Sequence, residues 1–126
     1  MAGYSIQIEQ ATLENTYFRQ VLFTAPKSQL VLMALRPGEE IGLETHATTD
    51  QFFRIEAGEG LAIIGGQEHP LKDGTALVVP AGVEHNVVNT SQTKLLQLYT
   101  IYTPPQHPDG TIHKTKAEAE AAHHDD

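Results

Sequence analysis

The chain has 126 residues, the length of one ordinary domain built around one core. Eight Lys and Arg against sixteen Asp and Glu leave a formal charge of −8 with histidine neutral, which excludes docking on a nucleic-acid backbone or an anionic membrane through a basic surface. There is no cysteine, so disulfides, thiolate metal ligands and cysteine nucleophiles are excluded as well.

Met1 to Ser5 lacks the basic stretch and apolar run of a signal peptide. The longest apolar run, Leu30 to Leu35, falls far short of the roughly 20 residues that span a bilayer. A soluble, cytoplasmic protein is expected. Tyr4 to Glu9 alternates apolar and polar residues as an edge strand would. Tyr17 to Thr24 and Gln29 to Leu35 read as strands, the second apolar on both faces and so expected between two sheets. Pro37-Gly38-Glu39 turns the chain. Gln51 to Ala57 and Gly60 to Ile64 follow, joined around Gly58, and Gly65-Gly66 is a hairpin signal. His69, before Pro70, is expected to be exposed on that hairpin. Lys72-Asp73-Gly74 leads into Ala76 to Val79, and then Val83 to Val88 and Lys94 to Tyr102 complete the set. Strands at this spacing without intervening helices predict an antiparallel sandwich or barrel. Beyond Pro104-Pro105, Lys114 to Ala122 is Ala/Glu-rich and predicts a short helix, with Thr115 and Glu118 as its capping box. That helix carries almost no large apolar face, so weak packing is expected, with fraying over His123 to Asp126.

Two stretches carry the chemistry. In the first, Gly38 is followed by five residues, Glu44-Thr45-His46, four residues, Gln51, six residues and Gly58. In the second, Gly74 is followed by five residues, Pro80-Ala81-Gly82, two residues, His85, three residues and Asn89. These resemble the two motifs of the cupin family. The resemblance implies an all-β fold, a cupin double-stranded β-helix (a jelly-roll-type barrel), with a short C-terminal helix. It implies one domain over residues 1–126, with a barrel core over about 16–103 and a C-terminal loop and helix over 104–126. Small cupins commonly dimerise by exchanging or pairing N-terminal strands, so a homodimer is expected.

In the family pattern two His, a Glu and a last His bind one divalent metal. The corresponding residues here are Glu44, His46, Gln51 and His85, so the carboxylate has moved from the third slot of the motif to the first. Alternation lets Glu44 and His46 face the barrel interior together, and His85, Val87 and Asn89 share a face. Glu44, His46 and His85 would form the two-His-one-carboxylate set that suits Fe, and that Mn, Zn, Ni or Co would also accept. Each has a blander reading. His85 is either a ligand or a core histidine satisfied by Asn89 or a backbone carbonyl. Glu44 is a ligand, a general base or a solvated acid at the mouth, and Gln51 is a ligand or only a partner of metal-bound water. Glu84 and Arg54 are expected to face outward, Arg54 pairing with an outer acid.

Phe53, Ile55, Ile63 and Val87 are expected to line a mostly apolar substrate pocket, with Tyr99 or Tyr102, whose parity the run Leu95 to Tyr102 leaves open. No inward Lys or Arg is identified, which counts against a phosphorylated substrate. The segment 100–110 resembles the tail of small cupins labelled mannose-6-phosphate-isomerase-like, and the loop between His107 and His113 either covers the mouth or packs on the surface. Two functions are open: a metal-dependent enzyme (a dioxygenase-type oxidoreductase or an isomerase) on a small oxygen-bearing metabolite, or a non-catalytic small-molecule binding module. The expected partner is a small-molecule substrate, with no nucleic acid and no membrane.

Overall fold

The computed structural model describes residues 2–123. The expected fray at 124–126 lies outside the described residues. Two antiparallel sheets face each other across the apolar core. The larger has the strand order β6-β3-β8-β2-β1-β9, with β1 at Arg19–Thr24, β2 at Gln29–Leu35, β3 at Asp50–Ala57, β6 at Ala76–Val79, β8 at Leu96–Thr103 and β9 at Ile112–His113. The smaller has the order β5-β4-β7, with β4 at Gly60–Ile64, β5 at Gln67–Leu71 and β7 at His85–Asn89. Two isolated bridges, Glu40 to Val88 and Glu44 to His85, lay the 40–44 segment along β7. The result is a jelly-roll-type β-barrel with a short C-terminal helix, α2, at Lys116–His123.

Alternation decides what fills the barrel. Leu96, Leu98, Thr100 and Tyr102 of β8 are buried, while Gln97, Tyr99 and Ile101 between them are half-buried on the outer face. Val31, Met33 and Leu35 of β2, together with Phe53 and Ile55 of β3, belong to the same core, which Ala62, Leu71 and Val87 close from the smaller sheet.

Three expectations change. Tyr4 to Glu9 is not a strand: residues 2–7 have no regular structure, and a helix, α1, runs over Ile8–Glu14. The alternation ended at Glu9 while a helical spacing (Ile8, Thr12, Asn15) began inside it, and Thr12 is fully buried. Tertiary contacts stabilise this one-sided helix, since Gln97 Nε2 donates to the otherwise orphaned carbonyls of Leu13 and Asn15 at 2.8 and 3.0 Å. His69 lies half-buried in β5 opposite Ala62, not in an exposed loop. Finally, α2 does pack, because Ala119 is buried in the core cluster. Half of the expected capping box forms, Thr115 Oγ1 accepting from Glu118 N at 3.2 Å, while the Glu118 carboxylate accepts from Lys114 N, one residue before the cap, at 2.9 Å.

Candidate metal centre and its cavity

Four donors come from three neighbouring pieces of chain. Glu44 and His85 are opposed across an antiparallel bridge, with each amide donating to the other's carbonyl at 2.9 Å. Opposed residues project to the same side of the sheet, so both side chains enter the barrel. His46 follows two residues later and shares that face. Its carbonyl accepts from Gly82 N at 2.8 Å, which ties it to the Pro80-Ala81-Gly82 turn. Gln51 faces inward opposite Tyr102 near the start of β3.

The donor atoms of Glu44, His46 and His85 all lie within 4.8 Å of one another. Ligands about 2.1 Å from a shared ion stand about 3–4 Å apart, so the group is close to what an ion requires. His46 Nε2 is 3.9 Å from Glu44 Oε2, and the two imidazole centroids are 5.4 Å apart. The tautomer of His85 follows from its partner: Nδ1–H donates to the Val83 carbonyl at 3.0 Å, which leaves a lone pair on Nε2. The partner is thus neither Asn89 nor a second side chain. Asn89 is occupied elsewhere, donating to the carbonyls of Leu35, Arg36 and Lys94.

Gln51 is oriented in the same manner. The Thr100 hydroxyl donates to the Phe52 carbonyl at 2.8 Å, so its lone pair accepts the Gln51 amide N–H at 3.0 Å. Gln51 Oε1 is thereby turned away from Thr100. His46 Nε2, His85 Nε2 and Gln51 Oε1 are all buried, and none has a hydrogen-bond partner. Leaving such atoms unsatisfied costs on the order of 1–3 kcal/mol each. Buried ring nitrogens and an amide oxygen without partners, beside a carboxylate, are the arrangement that a cation satisfies. Burial holds the His46 pKa below the usual imidazole range, Glu44 opposes the shift, and His85 and Arg19 add to it. The ring is therefore neutral near pH 7, the form that ligates.

The remaining expected pocket residues separate. Phe53, Ile55 and Val87 are packed in the core beneath the site, at most 2% exposed. Phe53 meets the His85 ring edge-on at 6.3 Å. Ile63 is a correction: it pairs with Asn86 on the outer face, and it is Ile64, opposite inward-facing His85, that packs against the core. Tyr99 is also outside, its ring tilted against Phe52 at 6.3 Å, whereas Tyr102 is buried with its ring 5.9 Å from His46. Burial pushes the Tyr102 hydroxyl up to about 12, against the opposing influence of Arg19. Glu84 is exposed, and Arg54 pairs with Glu56 at 3.4 Å, as an outward pair would.

The open space lies at the mouth. A cavity of about 260 Å³ is bounded by Phe18, Arg19, Ile41, Glu44, His107 and Lys116. His107 is hydrogen-bonded to the Tyr102 hydroxyl at 3.2 Å. Its loop is held by buried Gln29, whose amide donates to the His107 carbonyl at 2.7 Å and accepts from the amides of Gln106 and His107. This stretch of the C-terminal loop therefore contributes His107 to the cavity wall. Arg19 corrects the expectation that no cation faces inward: it is 7% exposed, lies opposite His113 in β9, and lines the cavity. Its signal was parity, because Arg19 shares a strand face with buried Val21. Thr100 and Gln29 carried no motif at all.

Comparison with known proteins agrees with this architecture. The family model described as a cupin domain matches residues 31–102. An uncharacterized Bacillus subtilis protein, YrkC, is 48% identical over 94% of this chain and 67% of its own length. The crystal structure of Bacillus halodurans BH2720 superposes with a TM-score of 0.92 at 44% identity, covering 95% of each chain. A Thermotoga maritima oxalate-binding protein is 33% identical over 50% of this chain and 52% of its own length. The β-barrel, the two spaced motifs and these matches together make the chain a member of the cupin-domain family.

Proposed function

We propose that the protein is a metal-dependent enzyme, of the dioxygenase or isomerase type, acting on a small oxygen-bearing metabolite held at the barrel mouth. The observation that carries this reading is the meeting of the partnerless ring nitrogens of His46 and His85 and the partnerless Gln51 amide oxygen with the Glu44 carboxylate. One divalent ion (Fe, Mn, Zn, Ni or Co) would be held by Glu44, His46 and His85, with Gln51 as a fourth donor. When bound, it supplies Lewis acidity toward a substrate oxygen or, as iron, a site for dioxygen.

The chain's own residues supply the rest. Glu44 is the most exposed of the donors, its side chain 30% accessible, and is the group placed to take a proton from substrate. Burial pushes the Tyr102 phenol up to about 12, so it stays protonated and its hydroxyl holds His107 at the cavity wall. The loop at His107 limits the access of water. The protein is proposed to act on its small molecule as a cytoplasmic homodimer. No helix among the described residues is long and apolar enough to cross a membrane.

A second reading, a metallated module that binds its ligand without turnover, is favoured by the name of the oxalate-binding relative. Oxygen uptake and product analysis on the metal-loaded protein, with a panel of diketones, phenols and hydroxy acids, separate the two. Turnover that disappears in His46→Ala supports the enzyme. Ligand-induced stabilisation without product supports the binding module.

A further inference from the structure

Arg19 is a cation that the fold leaves without an anion. It is 7% exposed, and among the described residues no carboxylate lies within ion-pair distance of it, the ion pairs being His46–Glu44, Arg54–Glu56 and Lys116–Glu120. The groups in direct contact with it are uncharged. One terminal nitrogen donates to His113 Nδ1 at 3.3 Å, the guanidinium lies 5.3 Å from the centroid of the Phe18 ring, and the Tyr102 hydroxyl is beside it. Burial and Arg19 itself hold His113 below the usual imidazole range, which keeps that ring neutral. The Nε–H is buried with no hydrogen-bond partner. Guanidinium cannot neutralise itself by losing a proton, and a buried, unpaired charge is among the costliest features a fold can carry.

Position gives this charge a use. Arg19 and Glu44 line the same cavity, and the Arg19 charge is close enough to His46 to lower its pKa. The second cation on the cavity wall, Lys116, is already 3.8 Å from Glu120. A cavity of about 260 Å³ is just below the usual range of small-molecule sites, about 300–1,000 Å³. A guanidinium without a paired anion presents a planar fork suited to a planar, singly charged group, whereas Glu44 and Glu120 on the same wall oppose a bulky dianion.

Building on the metal-site reading, we infer that Arg19 is the carboxylate-recognising residue of this site. The substrate is a small carboxylic acid whose carboxylate pairs with Arg19 while a neighbouring oxygen reaches the metal. The overall charge of −8 does not oppose this, because the anion is met by a desolvated local cation.

The test is calorimetric titration with glycolate, pyruvate and oxalate, their uncharged amides, and inorganic phosphate. Wild type, Arg19→Lys and Arg19→Gln are compared, each both Mn(II)-loaded and metal-stripped by dialysis, with metal content measured separately. The inference expects at least one acid to bind wild type and its amide to bind at least about tenfold more weakly. Arg19→Gln should lose about tenfold or more for the acid and little for the amide, with metal content unchanged, and Arg19→Lys should fall between. Acid binding unaffected by Arg19→Gln, amides binding as well as acids, phosphate binding alone, or no acid bound at all would each overturn it. If wild type takes up no metal, the proposed function fails, and the metal-stripped titrations still decide the role of Arg19. Should Arg19→Gln lose the native circular-dichroism spectrum, Arg19→Lys decides: the inference then requires weaker acid binding than wild type with amide binding unchanged.

Discussion

Glu44 and His85, separated by forty residues of chain, sit directly opposite each other, and each backbone amide donates to the other's carbonyl at 2.9 Å. This bridge joins the two sequence motifs and fixes the carboxylate and an imidazole on one face before any ion arrives. Replacing either side chain should leave the bridge intact and remove only a donor. His85→Ala is therefore expected to keep the fold and weaken metal affinity by more than the roughly 10–100-fold typical of outer-shell changes. Competition against a fluorescent chelator reads this directly. Unchanged affinity would remove His85 from the site.

The Thr100 hydroxyl orients Gln51 by donating to the Phe52 carbonyl and accepting the Gln51 amide. Thr100→Val keeps the shape, removes the acceptor and frees the amide to turn. Metal affinity should fall about tenfold or more while unfolding free energy falls by only about 1–2 kcal/mol. The same chelator competition, paired with urea unfolding, separates the two effects. A stability loss with no change in affinity would mean that Gln51 does not reach the ion.

Acid should act through His46. Its folded pKa lies below the usual 6.5, with burial the main cause. The unfolded chain therefore takes up a proton that the folded chain resists, so the stability from this group is present above about pH 6.5 and is lost as pH falls through the lower folded value. Thermal melts of the metal-free protein should fall more steeply below pH 6.5 for wild type than for His46→Gln. Parallel curves for the two proteins contradict this assignment.

Gln29 is buried, and its amide joins the His107 loop to β1, donating also to Thr24 Oγ1 at 2.9 Å. Gln29→Leu strands the Gln106 and His107 amides and the His107 carbonyl. Hydrogen exchange at those two amides is expected to speed up more than at β8, with a stability cost of about 1–3 kcal/mol. Uniform exchange across both regions would show that the loop does not depend on Gln29.

At Gly58 the backbone has φ +110°, and an added Cβ would lie 2.5 Å from the Leu95 carbonyl oxygen. Gly58→Ala combines a left-handed backbone with a close backbone approach, so a loss of about 2 kcal/mol or more is expected by denaturant unfolding. A loss below about 0.5 kcal/mol would mean that the turn relaxes easily.

Much of this architecture could be read from residues alone because its determinants are local. Turn glycines at fixed spacing and period-two burial located most of the strands and put Glu44, His46 and His85 on inward faces. What escaped depends on contacts between distant segments. The α1 helix is capped by Gln97 from β8, and an alternating run from Tyr4 to Glu9 concealed its start. Ile63 was misplaced, and the choice between Tyr99 and Tyr102 stayed open, because strand register, set by pairing with β7 and β3, decides which face a short apolar run presents. Arg19 was overlooked because charge argues for the surface, while its strand face and its position opposite His113 bury it.

Glu44, His46 and His85 are proposed to hold one ion together. Elemental analysis of the untagged protein, as isolated and after metal-stripped protein is re-equilibrated with each divalent metal in turn, tests that claim most directly. The prediction is about one equivalent of divalent metal per chain in wild type, and near none in His46→Ala and His85→Ala proteins that retain the wild-type circular-dichroism spectrum. A folded wild-type protein that carries no metal and takes up none of those offered would contradict it.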